Sequence, residues 1–222
     1  MLQLYWSPIR FFDANRKQPP SWPHALIAPS ICSALLGIAV LTVSRKSGPA
    51  LAPALAAFEF PISTPATKTM FMAISALIYP SFCGTAGLTL LALHALTGNS
   101  THPILVLKCT ALAFYTQLPY GLLMVIIAWL WTPTPIEVPA GASTVVVLVE
   151  IREYQSTVLS EPLLSTGRLL SWYSLAWLII VLALMLRTID RLSFGATLTV
   201  ALTLVSVFAA GPLLGRVATA IR

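Results

Sequence analysis

Long apolar runs separated by short polar stretches dominate this chain. Charged residues stand at the ends of the runs, and the run centres hold no Asp, Glu, Lys or Arg. Most runs reach the ~20 residues that a helix needs to cross the hydrocarbon core of a bilayer. The pattern therefore predicts an all-α, polytopic membrane helical bundle of about five transmembrane helices. The predicted spans are Trp22–Ser44, Thr69–Leu96, Ile104–Trp131, Leu169–Leu186 and Phe194–Leu214.

Residues 1–21 lack such a run and predict a separate N-terminal arm without the apolar core of a cleavable signal peptide. Ser7 is suited to cap a short helix that ends before the proline pair at positions 19 and 20. The pattern indicates either an interfacial helix, with Trp6, Phe11 and Phe12 dipped into the headgroup layer, or a solvated arm.

The predicted five-span membrane domain, residues 22–222, contains two irregular stretches. Gly48–Thr67 is rich in proline and alanine, so no regular span is expected there. The polar loop 132–168 opens with a stiff, proline-rich spacer and continues at Thr144–Val149 as either a strand or the start of a surface helix. A soluble subdomain or docking surface, if the chain has one, is expected in this loop.

Composition supports the membrane interpretation. Apolar residues make up 57% of the chain and charged residues 9%, whereas a soluble domain carries about 25% charged residues. The net charge of +6 comes from basic residues scattered at span ends, which is the usual mark of membrane topology. We therefore expect membrane lipids and other integral membrane proteins as partners, and no nucleic acid.

Basic residues also bear on span ends and orientation. Arg45 and Lys46 are predicted to close the first span, and Arg187–Arg191 to form a tight charged turn between the last two. Lys and Arg divide almost equally between the two sides, so we give weight to the three basic residues of the N-terminal arm. They favour a cytoplasmic N-terminus.

Polar and proline positions within the spans suggest where helices kink or meet. Pro80 and Pro119 are expected to kink the second and third spans. Gln117, beside Pro119 and Tyr120, is the most polar residue at depth. Its side chain either lines a cavity or repairs the backbone at the kink and links two helices.

Glycines mark possible sites of close helix packing. Gly84 and Gly87 make the second span thin, and Gly211 and Gly215 form a GxxxG motif in the last span. Small residues let helix backbones approach closely. These faces either pack within the chain or form a groove for a helix of another protein.

The chain shows no pattern that predicts catalysis, a cofactor or a metal site. It contains no GxSxG or HExxH motif. His24, His94 and His102 are dispersed and have no carboxylate nearby in the sequence, so we expect interfacial or hydrogen-bonded histidines. The three cysteines lie in or beside apolar runs and are predicted to be buried thiols.

The chain resembles the Ypt/Rab-interacting (Yip) membrane protein family, especially its bacterial members. The resemblance lies in SPIRFF at 7–12, PSWPHAL at 20–26, FYTQLP at 114–119 and LSWYSLAW at 170–177. It implies five helical spans, a cytoplasmic N-terminus and no known catalytic activity. Eukaryotic members bind small GTPases in vesicle traffic, and some bacterial members accompany ABC-type exporters.

These features together lead us to expect a non-catalytic scaffold or accessory subunit that packs against partner membrane proteins in a larger complex. The expected location is a bacterial inner membrane. The alternative is a small transporter or lipid-handling protein, a class that includes accessories to ABC-type exporters. In that case the prolines would mark broken helices around a cavity.

Overall fold

The computed structural model describes residues 2–56, 65–97, 103–134, 136 and 144–220. Within these ranges the chain forms α-helices and a 3-10 helix, and no strand occurs in them. The α-helices are α1 (Leu2–Trp6), α2 (Pro8–Lys17), α3 (Trp22–Ala56), α4 (Pro65–Leu96), α5 (Pro103–Ala113), α6 (Leu118–Leu130), α7 (Thr144–Ser160), α8 (Pro162–Asp190) and α9 (Phe194–Ala220); the 3-10 helix is Phe114–Gln117.

Long apolar helices define the fold class, as predicted. Four stretches in the described residues are long and apolar enough to cross a membrane, and Phe194–Phe208 is a shorter apolar helix. The all-α prediction is thus confirmed, and the chain is a membrane-embedded helical protein. The four stretches are Trp22–Ser47, Leu77–Leu96, Pro103–Leu130 and Pro162–Asp190.

Two helices continue past the predicted ends of their spans, and the prediction of a tight turn over Arg187–Arg191 was wrong. Helix α3 continues beyond Arg45 and Lys46 to Ala56, because basic residues mark where a helix leaves the bilayer but do not terminate it. Helix α8 likewise includes Arg187 and ends only at Asp190. Alanine is the best helix former, so the Ala-rich stretch after Lys46 sustains helix despite its prolines.

The loop 132–168 is largely helical where the structure describes it. Helix α7 occupies Thr144–Ser160, so the strand alternative for Thr144–Val149 was wrong and the helix alternative is confirmed. Helix α8 follows almost at once, with Pro162 in its first position, where a missing N–H costs nothing. Residues 137–143 lie outside the described part of the chain.

Residues group into two compact units. The first comprises Met1–Ser30, Pro80–Leu118 and Ser174–Arg222, and the second Ile31–Tyr79 and Pro119–Tyr173. In the first unit, the largest fully buried side chains include Phe12, Phe114, Leu112, Leu186 and Leu204. In the second unit, Trp131 is a large, fully buried side chain.

The N-terminal arm packs against the protein within the first unit. Helix α1 contacts the 3-10 helix and α2 contacts α5. Phe12 is fully buried and Phe11 is 8% exposed, whereas Trp6 is 87% exposed. The Phe11 and Phe12 rings meet edge to face with centroids 5.3 Å apart. Both phenylalanine rings are therefore buried against other residues of this chain. The sequence had suggested instead that they lie in the headgroup layer or on a solvated arm.

Candidate functional site

One face of α4 is exposed along its apolar length. Gly84, Thr85 and Leu88 are all exposed, and their spacing of three and four residues puts them on one side of the helix. In the apolar core of the span Leu77–Leu96, 22% of residues are buried inside the chain, compared with 56% for Pro103–Leu130. We call Gly84, Thr85 and Leu88 the exposed face of α4.

The predicted glycines have different surroundings. A Cβ atom added to Gly87 would lie 3.0 Å from Cδ2 of Leu107, so this glycine lets α4 approach α5 closely. A Cβ atom added to Gly84 would meet nothing within 4 Å. Gly87 thus packs within the chain, whereas Gly84 faces outward. Gly211 and Gly215 fall in the part of α9 whose surroundings are outside the described residues.

Gln117 is buried and joins the 3-10 helix to α8. Its Nε2 donates to the Ser174 carbonyl at 3.0 Å, and Ser174 Oγ donates to Gln117 Oε1 at 2.8 Å. Both ends of the amide are therefore engaged, which fits a helix-linking side chain better than a cavity-lining one. Tyr120 belongs to the second unit, where its side chain interacts with that of Ser171.

Tyr5 in the N-terminal arm completes the backbone near the proline break. Pro119 has no N–H, so the carbonyl of Tyr115, four residues earlier, loses its helical donor. The Tyr5 hydroxyl donates to that carbonyl, which also accepts from the N–H of Leu118. Such repair is what allows a broken helix to persist inside a membrane.

A buried histidine–aspartate pair connects α4 and α8. His94 Nδ1 lies 2.8 and 2.9 Å from the two carboxylate oxygens of Asp190. The Thr97 hydroxyl donates to the His94 carbonyl at 2.7 Å and lies 3.3 Å from Asp190 Oδ2. His94 is 5% exposed and Asp190 4% exposed. The hydrogen bond between the imidazole and the carboxylate therefore joins the C-terminal ends of α4 and α8.

Sequence analysis missed this pair because its members are 96 residues apart. His94 was expected to be interfacial or hydrogen-bonded, but no carboxylate was assigned to it. The sequence carried only a weak signal: His94 lies near the end of the predicted second span, Asp190 lies in the charged turn predicted after the fourth, and a buried charge requires a partner. Two span ends on the same side of a membrane would have brought them together.

The second unit has its own polar contacts around the end of α6. Lys46 Nζ donates to the carbonyls of Trp129 and Trp131, which are the backbone groups that a helix end leaves without partners. Trp131 Nε1 donates to Glu161 Oε2 at 2.6 Å. The buried Tyr154 hydroxyl has no hydrogen-bond partner among the described residues. Burial and the nearby Glu161 carboxylate raise the pKa of Tyr154 above its usual range.

The described residues contain no group of three or more His, Cys, Asp or Glu side chains that could hold a metal ion. The His24 ring lies near that of Tyr115, with centroids 6.5 Å apart and the ring planes tilted by 39°. His102 lies outside the described part of the chain. No protein-family model matches the chain, and no curated protein or solved structure matches it at a significant level.

Proposed function

We propose that this chain is a non-catalytic membrane scaffold or accessory subunit whose α4 packs against a transmembrane helix of a partner membrane protein. One observation carries the proposal. Gly84 lies on the exposed face of α4, and the space beside it is open. Because Gly84 has no side chain, a helix of another chain can approach the α4 backbone more closely here than at neighbouring positions that carry side chains.

The physics of helix association in lipid supports this assignment. Lipid tails are as apolar as leucine, so burial of apolar surface gives little drive for two helices to associate there. Close backbone packing at small residues supplies that drive instead. Gly84 beside Thr85 offers a shallow depression, and Leu88, 69% exposed, offers a side chain that can pack beside an approaching helix.

The buried polar groups support a structural role over the transporter alternative. Both ends of the Gln117 amide bind Ser174, and His94 binds Asp190. These side chains hold helices together, and a substrate would have to displace their partners. We therefore retain the scaffold as the leading proposal.

The family and location belong to the same proposal. We propose a member of the Yip family, placed in a bacterial inner membrane with its N-terminus in the cytoplasm. Support comes from the four sequence segments that resemble the family and from the basic residues of the N-terminal arm. An accessible-cysteine assay at Gln3, which is exposed, tests the orientation in sealed vesicles.

Site-specific photocrosslinking from position 88 tests the docking proposal. A photoreactive amino acid there is expected to capture a membrane protein in native membranes. The matched variant Gly84→Leu places a side chain in the open space, where a Cβ atom meets no other part of the chain within 4 Å. It is expected to abolish the crosslink while the chain stays folded.

Gly195→Leu provides the control, since a Cβ atom at Gly195 in α9 also meets nothing within 4 Å. This variant is expected to leave the crosslink unchanged. Crosslinks to lipid alone, or a protein crosslink that Gly84→Leu does not affect, would contradict the docking proposal.

A further inference from the structure

The first unit also contains a basic pocket between α2 and the turn that connects α8 to α9. Its volume is about 350 Å³, near the lower end of the ~300–1,000 Å³ that ligand pockets usually have. The pocket is lined by Ile9, Asp13, Arg16, Arg187, Thr188, Arg191 and Leu192. We call it the arginine pocket.

Positive charge in the arginine pocket exceeds negative charge. Arg16, Arg187 and Arg191 contribute three positive charges and Asp13 one negative charge, which leaves a net charge of +2 (3 − 1). The Asp13 carboxylate already binds Lys17 at 2.8 Å. Among the described residues, no carboxylate lies within 4.0 Å of any of the three guanidinium groups.

Asp13 stays ionised and bound to Lys17. The hydrogen bond from Lys17 lowers the pKa of Asp13, and the charges of Lys17, Arg16 and Arg191 act in the same direction. The carboxylate therefore cannot neutralise all three arginines. An anion from outside the chain would complete the charge balance.

The backbone holds Arg191 in the pocket at an energetic cost. Arg191 has φ 54°, the left-handed conformation that favours glycine. The N–H of Leu192 donates to the carbonyl of Arg187 at 3.1 Å, which is the hydrogen bond of a Schellman turn at a helix C-terminus. Glycine is the usual residue at this position, so the geometry of the turn does not itself require an arginine there.

The position along the chain places this pocket at the headgroup layer. The apolar span of α8 ends at Asp190, and the next apolar helix starts at Phe194. The turn between them therefore lies where both helices leave the hydrocarbon, which is the level of lipid phosphates. Ile9 and Leu192 give the pocket an apolar side, and Phe194 beside the turn is 73% exposed.

We propose that the arginine pocket binds the phosphate of an anionic phospholipid headgroup. Guanidinium groups pair with phosphate oxygens through two parallel hydrogen bonds, and basic pockets at the ends of membrane helices are the usual sites for anionic headgroups. The bound lipid would also hold α2 against α8. A guanidinium N–H of Arg16 in α2 already donates to the Thr188 carbonyl of α8 at 3.5 Å. This site is independent of the proposed docking through α4.

Native mass spectrometry of the full chain in detergent tests the site. The protein is titrated with phosphatidylglycerol, with phosphatidylcholine and, in a third arm, with inorganic phosphate. We expect one phosphatidylglycerol to bind tightly, phosphatidylcholine to bind more weakly, and inorganic phosphate at millimolar concentration to displace little lipid. If inorganic phosphate binds in an Arg191-dependent way and phosphatidylglycerol does not, the lipid assignment is wrong.

The variant Arg191→Gly separates ligand binding from folding, because glycine favours the backbone conformation of this position. We expect it to weaken phosphatidylglycerol binding about fivefold, as ~1 kcal/mol per basic residue implies, and Arg187→Gln to do the same. The matched control Arg10→Gln removes one charge from an exposed position of α2 outside the pocket and should leave binding unchanged. Equal binding by wild type and Arg191→Gly would overturn the proposal.

Discussion

Removal of one member of the His94–Asp190 pair is the perturbation whose effect the structure defines most clearly. The His94 side chain is 6% exposed and that of Asp190 is fully buried. His94→Leu removes the imidazole that binds the Asp190 carboxylate, and Asp190→Leu removes the carboxylate that binds the His94 imidazole. The double variant replaces both with apolar side chains.

The expected magnitudes differ between the single and double variants. Loss of one partner of a buried pair costs ~3–5 kcal/mol, because the other polar group stays buried. The cost of His94→Leu should fall at the lower end, since the Thr97 hydroxyl still lies 3.3 Å from Asp190. Replacement of both partners by apolar groups is often nearly neutral. We therefore predict non-additivity of several kcal/mol, well beyond the ~0.5 kcal/mol scatter of independent sites.

The assay is equilibrium unfolding of the four proteins (wild type, two single variants and the double variant) in mixed micelles, followed by circular dichroism. The exposed pair Lys17–Asp13, with side chains 70% and 42% exposed, provides the control, and its removal should leave the unfolding midpoint unchanged. Single variants as stable as wild type, or a double variant whose cost equals the sum of the singles, would refute a mutually dependent buried pair.

Four other substitutions have defined outcomes in the same unfolding assay. Gly87→Leu should destabilise the protein by roughly 1–3 kcal/mol through overpacking, whereas Gly84→Leu should not destabilise it, and equal effects would contradict their assigned surroundings. Tyr5→Phe should cost about 1 kcal/mol, because the Tyr115 carbonyl keeps only one of its two donors; an unchanged midpoint would count against the link through the arm. Gln117→Leu should cost roughly 1 kcal/mol for two interhelical bonds, and a stabilised variant would show that these bonds contribute nothing.

The sequence predicted the helical class and most span positions, because a run of apolar residues with charge at its ends has few other stable structures in a bilayer. It did not show how far the helices continue beyond the spans. Arg45 and Lys46 indicate where α3 leaves the hydrocarbon, yet helix formation depends on local propensity and continues to Ala56. The pattern at Thr144–Val149 was ambiguous because a run of six residues, five of them apolar, suits either a strand or a helix.

The polar contacts were less accessible to sequence reasoning. The importance of Gln117 was visible, because a lone amide at depth must find a partner, but Ser174 could not be named as that partner. The pairing of His94 with Asp190 and the convergence of Arg16 with Arg187 depend on which helices lie side by side. Apolar helices have similar surfaces, so their sequences alone carry little information about their neighbours.

The mass of the particle that mild detergent extracts from native membranes tests the central claim most directly. The chain alone has a mass of 23.9 kDa. A docked partner predicts a heavier protein particle of defined composition, which Gly84→Leu should reduce towards the mass of the single chain and Gly195→Leu should not. A strictly monomeric particle, in both the wild type and the variants, would contradict the scaffold function.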